Sequence, residues 1–199
     1  MTRRVAVGAM LFFFATPALG HTIADPRVVV LVAKPGALEV RVNELTQPGE
    51  ESAALRRRYD GDRDGKIDDS EASDLASFLV ARSLTNLRVW QDGKPLALKE
   101  QSRALKGIAS GVGSSDSLSI DVVLTTQPVV AAGGHVKVTL GDWRPDGHAV
   151  RVAVLAQDGV VLAKTTLGSL ESEGQVATGI ALEQASSEQL EYDLPAKTK

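Results

Sequence analysis

Residues 60–71 read D-G-D-R-D-G-K-I-D-D-S-E, six carboxylates set against Arg63 and Lys66. Asp60, Asp62 and Asp64 stand at alternate positions, where side chains turning inward offer oxygens to a hard cation. Gly65 allows a sharp backbone turn. Lys66 contributes its carbonyl, which leaves its side chain unconstrained. Ile67 is the apolar residue that fixes the loop against its surroundings, and Asp68 acts through a water. Glu71 is long enough to reach back with both oxygens and begins the helix that leaves the loop. Without a cation these carboxylates repel one another at close range. The plain alternative is a solvated acidic turn that binds nothing.

This segment resembles the EF-hand calcium-binding loop, and all twelve positions fit. The resemblance implies Ca2+ as the ion, with Asp60, Asp62, Asp64, Lys66, Asp68 and Glu71 as its ligands. Calcium is favoured over magnesium because six or seven oxygens and a bidentate Glu suit the larger, more flexible ion. Tyr59 occupies the usual aromatic place before the loop, and Leu75, Phe78 and Leu79 line one face of the exit helix. Arg56 stands where the family often has an apolar residue, which implies an entering helix packed on one side only. EF-hands usually pair, and only one such loop is legible. Its partner surface is then the β-structure of the same chain or a second copy.

The remaining residue types limit other chemistry. There are no cysteines, so disulfides, thiol nucleophiles, iron–sulfur clusters and Cys-based zinc sites are excluded. With 3 histidines, a His-rich metal site has little room. His21 would carry a free α-amino group after leader removal and could chelate copper with a second imidazole, whereas His135 and His148 read as surface residues. Trp90 and Trp143 read as core or core-edge residues, because 4% aromatics is too few for a carbohydrate platform or a base-stacking surface. A net charge of −3 carries no electrostatic footprint for nucleic acid. No Ser/His/Asp arrangement is legible, so an enzyme is not expected.

The acidic segment needs two helices to hold it. Ser52–Tyr59 and Ser70–Leu84 supply candidates, the second with Leu75, Phe78, Leu79 and Arg82 at helical spacing and Ser70 available as a cap. Around this block, at about 49–84, the chain reads as β-structure. Arg27–Ala33 is a buried strand, Lys34-Pro35-Gly36 a turn, and Leu38, Val40 and Val42 the inward face of the next strand. Asp92-Gly93 and Asp158-Gly159 each mark a hairpin, the second joining Val150–Ala156 to Val160–Thr165. Further strands are expected at Ser117–Thr125, His135–Leu140 and Val176–Glu183. Gly107–Asp116 has loop composition. The expected fold is mainly β, an immunoglobulin-like antiparallel β-sandwich with an inserted EF-hand helix–loop–helix, forming one domain over residues 21–199.

The chain has 199 residues, 43% hydrophobic and 24% charged, the balance of a globular protein. Residues 1–20 read as a signal peptide: Arg3 and Arg4, an apolar run from Val5 to Thr16, then small residues at Ala18 and Gly20. Cleavage after Gly20 leaves about 179 residues (199 less 20) with a charge of −5, and no later stretch reaches membrane-spanning length. The expected location is secreted or periplasmic, in a bacterium.

The order of features is also similar to the extracytoplasmic N-terminal region of bacterial nickel/cobalt-transporter-like membrane proteins. There a leader, an early His, a strand pair and an acidic helical segment precede a strand like Leu87–Leu98, L-R-V-W-Q-D-G-K-P-L-A-L here. This chain lacks the transmembrane helices and His-rich segment of that group. Three function classes stay open. One is a secreted calcium-binding module for binding or adhesion, its ion structural and its partner a protein or a second copy. Another is a periplasmic accessory protein of nickel, cobalt or copper homeostasis. The third, with least in its favour, is a calcium-dependent hydrolase.

Overall fold

The computed structural model describes residues 27–127, 133–141, 150–165, 169–171, 176–181 and 187–193. The signal-peptide region, His21, Trp143, His148 and Leu182 lie outside the described residues. Strand β1 (Arg27–Lys34) turns through Pro35-Gly36 into β2 (Ala37–Thr46), with Gly36 supplying the positive φ of 71° that the tight turn requires. β2 then pairs antiparallel with β6 (Leu118–Thr126), and β6 with β5 (Lys99–Lys106). On the other side of β1 lie β8 (Val150–Ala156), β11 (Val176–Ala181) and β10 (Ser169–Glu171), completing a seven-stranded sheet. A second, five-stranded sheet runs β4 (Lys94–Pro95), β3 (Arg88–Gln91), β7 (His135–Gly141), β12 (Ser187–Asp193) and β9 (Val161–Thr165).

Alternation dictates the core. Leu38, Val40 and Val42 of β2 and Leu118, Ile120, Val122 and Leu124 of β6 are almost fully buried on one face, with less buried residues, polar except for Val123, between them. They join Val29, Leu31, Val152 and Val154 of the same sheet. Val89, Val136, Val138, Leu162 and Tyr192 of the second sheet belong to the same apolar cluster. Two helices, α1 (Glu50–Tyr59) and α2 (Asp69–Leu84), connect β2 of the first sheet to β3 of the second. Through Leu55, Leu75, Ala76, Leu79 and Val80 they add to that cluster. Burying a Leu or Val side chain contributes about 1.5–3 kcal/mol, so these residues tie the helices firmly to the sheet.

Several expectations are corrected. The seven-stranded sheet is not wholly antiparallel, because β1 and β8 run parallel, Val29 beside Val152 and Leu31 beside Val154. The Asp158-Gly159 turn has the expected positive φ angles, 55° and 85°, yet its flanks form no hairpin. β8 pairs with β1 and β11, and β9 pairs with β12, so this turn carries the chain from one sheet to the other. Local turn chemistry fixes the reversal but not the strand that each flank pairs with. Asp92-Gly93 does close a hairpin, with Gln91 opposite Lys94. Strand β5 was not expected, because its exposed, charged sequence K-E-Q-S-R-A-L-K carries little alternation. Charge of this kind suits a sheet edge, where it discourages pairing with another chain.

Candidate metal centre

Each helix end is built to deliver the acidic loop. Helix α1 has Glu50 and Glu51 in its first turn and Arg56, Arg57 and Arg58 in its last, which complements its dipole. Its buried residues Ser52, Ala53, Leu55 and Arg56 lie to one side, as expected of an entering helix packed one way. Arg56, however, lies on that packed side and is 0% exposed. Its guanidinium donates to the carbonyls of Gly107 (2.6 Å), Asp116 (2.9 Å), Ser114 (3.0 Å) and Ser117 (3.3 Å). Burial lowers its pKa from the ordinary arginine value, offset in part by the Asp116 carboxylate. Tyr59, at the end of α1, meets Phe78 of α2 with ring centroids 5.8 Å apart. The Arg58 guanidinium lies over both rings, at 5.8 and 5.5 Å. Two cations therefore flank this contact, since Arg82 lies 6.0 Å from Phe78.

Arg82 secures the far end of α2. It bonds Glu44 (3.0 Å) and Thr46 (2.5 Å) on β2 and Glu51 (2.7 Å) on α1. Glu44 is almost fully buried and also faces Arg27 of β1 at 3.5 Å. Removing either arginine leaves a buried carboxylate less compensated, which is costly in a low-dielectric setting.

The loop between the helices is ordered by its own side chains. Asp68, not the expected Ser70, caps α2, because its carboxylate accepts from Glu71 N at 2.9 Å while Glu71 accepts from Asp68 N at 3.1 Å. This reciprocal pair is a capping box. The other Glu71 oxygen accepts from Gly61 N at 2.6 Å, so the end of the loop folds back onto its beginning. Asp62 Oδ1 accepts from Asp64 N (3.0 Å), Asp64 Oδ1 from Lys66 N (2.7 Å) and Asp60 Oδ2 from Gly65 N (3.2 Å). Gly65, at φ 84°, makes the turn.

These bonds bring oxygens of Asp60, Asp62 and Glu71 within 4.8 Å of one another. Oxygens that ligate one Ca2+ stand about 2.3–2.6 Å from it, so a pair on opposite sides is at most roughly 5 Å apart. The three carboxylates could therefore hold one metal ion. Asp64 and Asp68 are not part of this group, and each spends an oxygen on a loop or cap amide. Asp60 is 9% exposed, and its Oδ1 is buried with no hydrogen-bond partner among the described residues. A buried, unpaired carboxylate oxygen is costly unless a cation or a donor meets it. The residues present fit a hard cation: all three convergent donors are carboxylate oxygens, and Asp60 has a buried oxygen without a partner among the described residues.

The segment that lies against this loop carries no sequence pattern that marks it as a partner. The β5–β6 connection, Gly107–Ser117, begins with a 3-10 turn at Ile108–Ser110, and its buried Val112 donates to Gly65 O at 3.3 Å. The polar, glycine-rich composition of the segment marked it as a loop. Only the buried cation Arg56, out of place in an apolar position, hinted that several carbonyls would gather there.

No family is shown by comparison with known proteins. Protein-family models give no match to the chain, and curated proteins give none. Among solved structures, the folded domain of the Mycobacterium tuberculosis LppM protein, determined by NMR, is similar at a TM-score of 0.38. Identity is 9%, over 86% of this chain and 90% of that one. No helix among the described residues is long and apolar enough to cross a membrane.

Proposed function

We propose that this protein binds one Ca2+ in the loop 60–71, and that the ion is structural. In this reading the helix–loop–helix is a single EF-hand inserted in a β-sandwich, on a chain that is secreted or periplasmic. Asp60, Asp62, Asp64 and Glu71 supply side-chain oxygens, Lys66 a carbonyl, and Asp68 a water-mediated contact. Two observations support the reading: oxygens of Asp60, Asp62 and Glu71 converge, and Asp60 also has a buried oxygen, Oδ1, without a partner among the described residues. An all-oxygen donor set favours calcium over nickel or copper, which prefer imidazole or sulfur. Holding the ion removes the repulsion among the carboxylates and braces the two helices on the sheet. The braced surface is then available to a protein partner.

Extracellular calcium modules of this type bind with Kd of about 10⁻⁴–10⁻³ M. At a hundredfold excess over Kd, binding stabilises the folded chain by about 2.7 kcal/mol. The test is calorimetric titration and thermal melting of the metal-free protein with Ca2+, Mg2+, Ni2+ and Cu2+, on wild type and Glu71→Gln. Calcium should raise Tm by roughly 5–10 °C, and Glu71→Gln should abolish most of that rise. Equal calcium binding by the variant would overturn the assignment.

A further inference from the structure

An isolated calcium loop of this kind leaves one side of its backbone without a companion loop. Here that side is occupied. The Gly65–Lys66 peptide is held at both ends: Lys66 N donates to Asp64 Oδ1 at 2.7 Å, and Gly65 O accepts from Val112 N at 3.3 Å. Hydrogen bonds in such a chain polarise one another, so the Val112 amide acts on the Asp64 carboxylate through one peptide group. Ile67, two residues beyond Gly65, is half-buried and belongs to no strand among the described residues.

The segment carrying Val112 is fixed independently of the acidic loop. Its two ends meet, since a Cβ on Gly107 would stand 2.2 Å from the carbonyl oxygen of Ser117. Arg56 donates to carbonyls at both ends and near the middle of that closure, Gly107, Ser114, Asp116 and Ser117. Helix α1 and its N-cap add two more bonds, Gly49 N to Ser115 O at 2.8 Å and Ser52 Oγ to the same oxygen at 3.0 Å. The same helix therefore ends in the acidic loop and anchors the segment that contacts it.

We propose that the Gly107–Ser117 loop is the built-in partner of the calcium loop, with Val112 its positioning residue through Gly65 O, so that one copy of the chain makes a complete site. This rests on the calcium reading above. Arg56 holds the partner loop in place before the ion arrives. The loop 60–71 then has its backbone partner within the chain, and a second copy is not needed.

The test compares wild type, Val112→Pro, which lacks the amide hydrogen, and Val112→Ala, which keeps it. Calorimetry should find calcium affinity about fivefold or more weaker in Val112→Pro and close to wild type in Val112→Ala. Affinity is measured well below the melting temperature of each metal-free variant, so a loss of stability alone does not register as a loss of affinity. Amide exchange on the wild type needs no variant to fold: calcium should slow exchange at Val112 roughly tenfold or more. Sedimentation should find a monomer with and without calcium. Undiminished affinity in Val112→Pro, unchanged exchange at Val112, or calcium-driven dimerisation overturns the proposal. A wild type that binds no calcium overturns the calcium reading and this proposal together, whereas normal binding with any of those three results overturns this one alone.

Discussion

Asp68 and Glu71 cap each other across the start of α2, and the same Glu71 carboxylate reaches the Gly61 amide at 2.6 Å. The residue that begins the helix thereby closes the acidic loop, so helix capping and oxygen convergence are one arrangement. Asp68→Ala removes the acceptor for Glu71 N but leaves the Asp68 backbone amide that Glu71 accepts. The expected loss is about 1 kcal/mol without metal, the ordinary value for an N-cap. With calcium the loss should be larger, because the backbone that positions Glu71 is loosened. Denaturant unfolding in chelator and in millimolar calcium measures both, and equal losses would separate the cap from the site.

The neck of the β5–β6 loop offers a second lever. Gly107 has φ 91°, and an added Cβ would stand 2.2 Å from the backbone oxygen of Ser117, an atom that cannot swing aside. Gly107→Ala should therefore cost about 2 kcal/mol or more, from left-handed strain and from opening of the closure. Gly36→Ala is a useful contrast: it shares a positive φ, 71°, in the β1–β2 turn, but an added Cβ there meets nothing within 4 Å. Chemical denaturation should rank Gly107→Ala well below Gly36→Ala in stability.

The convergence of Asp60, Asp62 and Glu71 was legible from their spacing in the acidic loop, and the long buried strands from alternation, which buries Val40 and Ile120 in one sheet and Val138 in the other. What escaped was whatever depends on distant partners. Asp158-Gly159 specifies a tight reversal whichever strands flank it, and only the pairing of β8 with β1 and β11 shows that it changes sheets. Strand β5 has a charged edge sequence with no pattern to read. Ser70 looked like a cap by type, but the reciprocal bond needs an acceptor three residues before Glu71, and Asp68 holds that place. Arg56 stands out in an apolar position, yet the carbonyls it binds in the β5–β6 loop lie more than fifty residues along the chain.

His135 and Asp193 face each other across β7 and β12, with Nδ1 2.9 Å from Oδ1. The hydrogen bond to Asp193 holds the imidazole pKa above its ordinary 6.5, aided by the charges of Asp193, Glu191 and Asp92. A raised folded-state pKa favours the protonated fold. Its contribution is fully present below pH 6.5 and fades as pH rises through the folded-state value. The pair is exposed, so solvent screening keeps the effect on stability small. NMR titration of the His135 ring should give a higher midpoint in wild type than in Asp193→Asn. Equal midpoints would mean that the contact does not persist in solution.

Tyr192 is 0% exposed, and its hydroxyl has no hydrogen-bond partner among the described residues. Burial pushes its pKa up to about 12, with the Asp92 charge adding to the shift. The ring belongs to the apolar cluster that both sheets share, so its packing is favourable while its oxygen has lost water without a partner among the described residues. Tyr192→Phe keeps the ring and deletes the oxygen. It should leave the chain unchanged or up to about 1 kcal/mol more stable in urea unfolding. A loss of 1 kcal/mol or more would instead reveal a partner for the hydroxyl, and Tyr192 would then be a polar tie between the strands rather than a misplaced donor in the core.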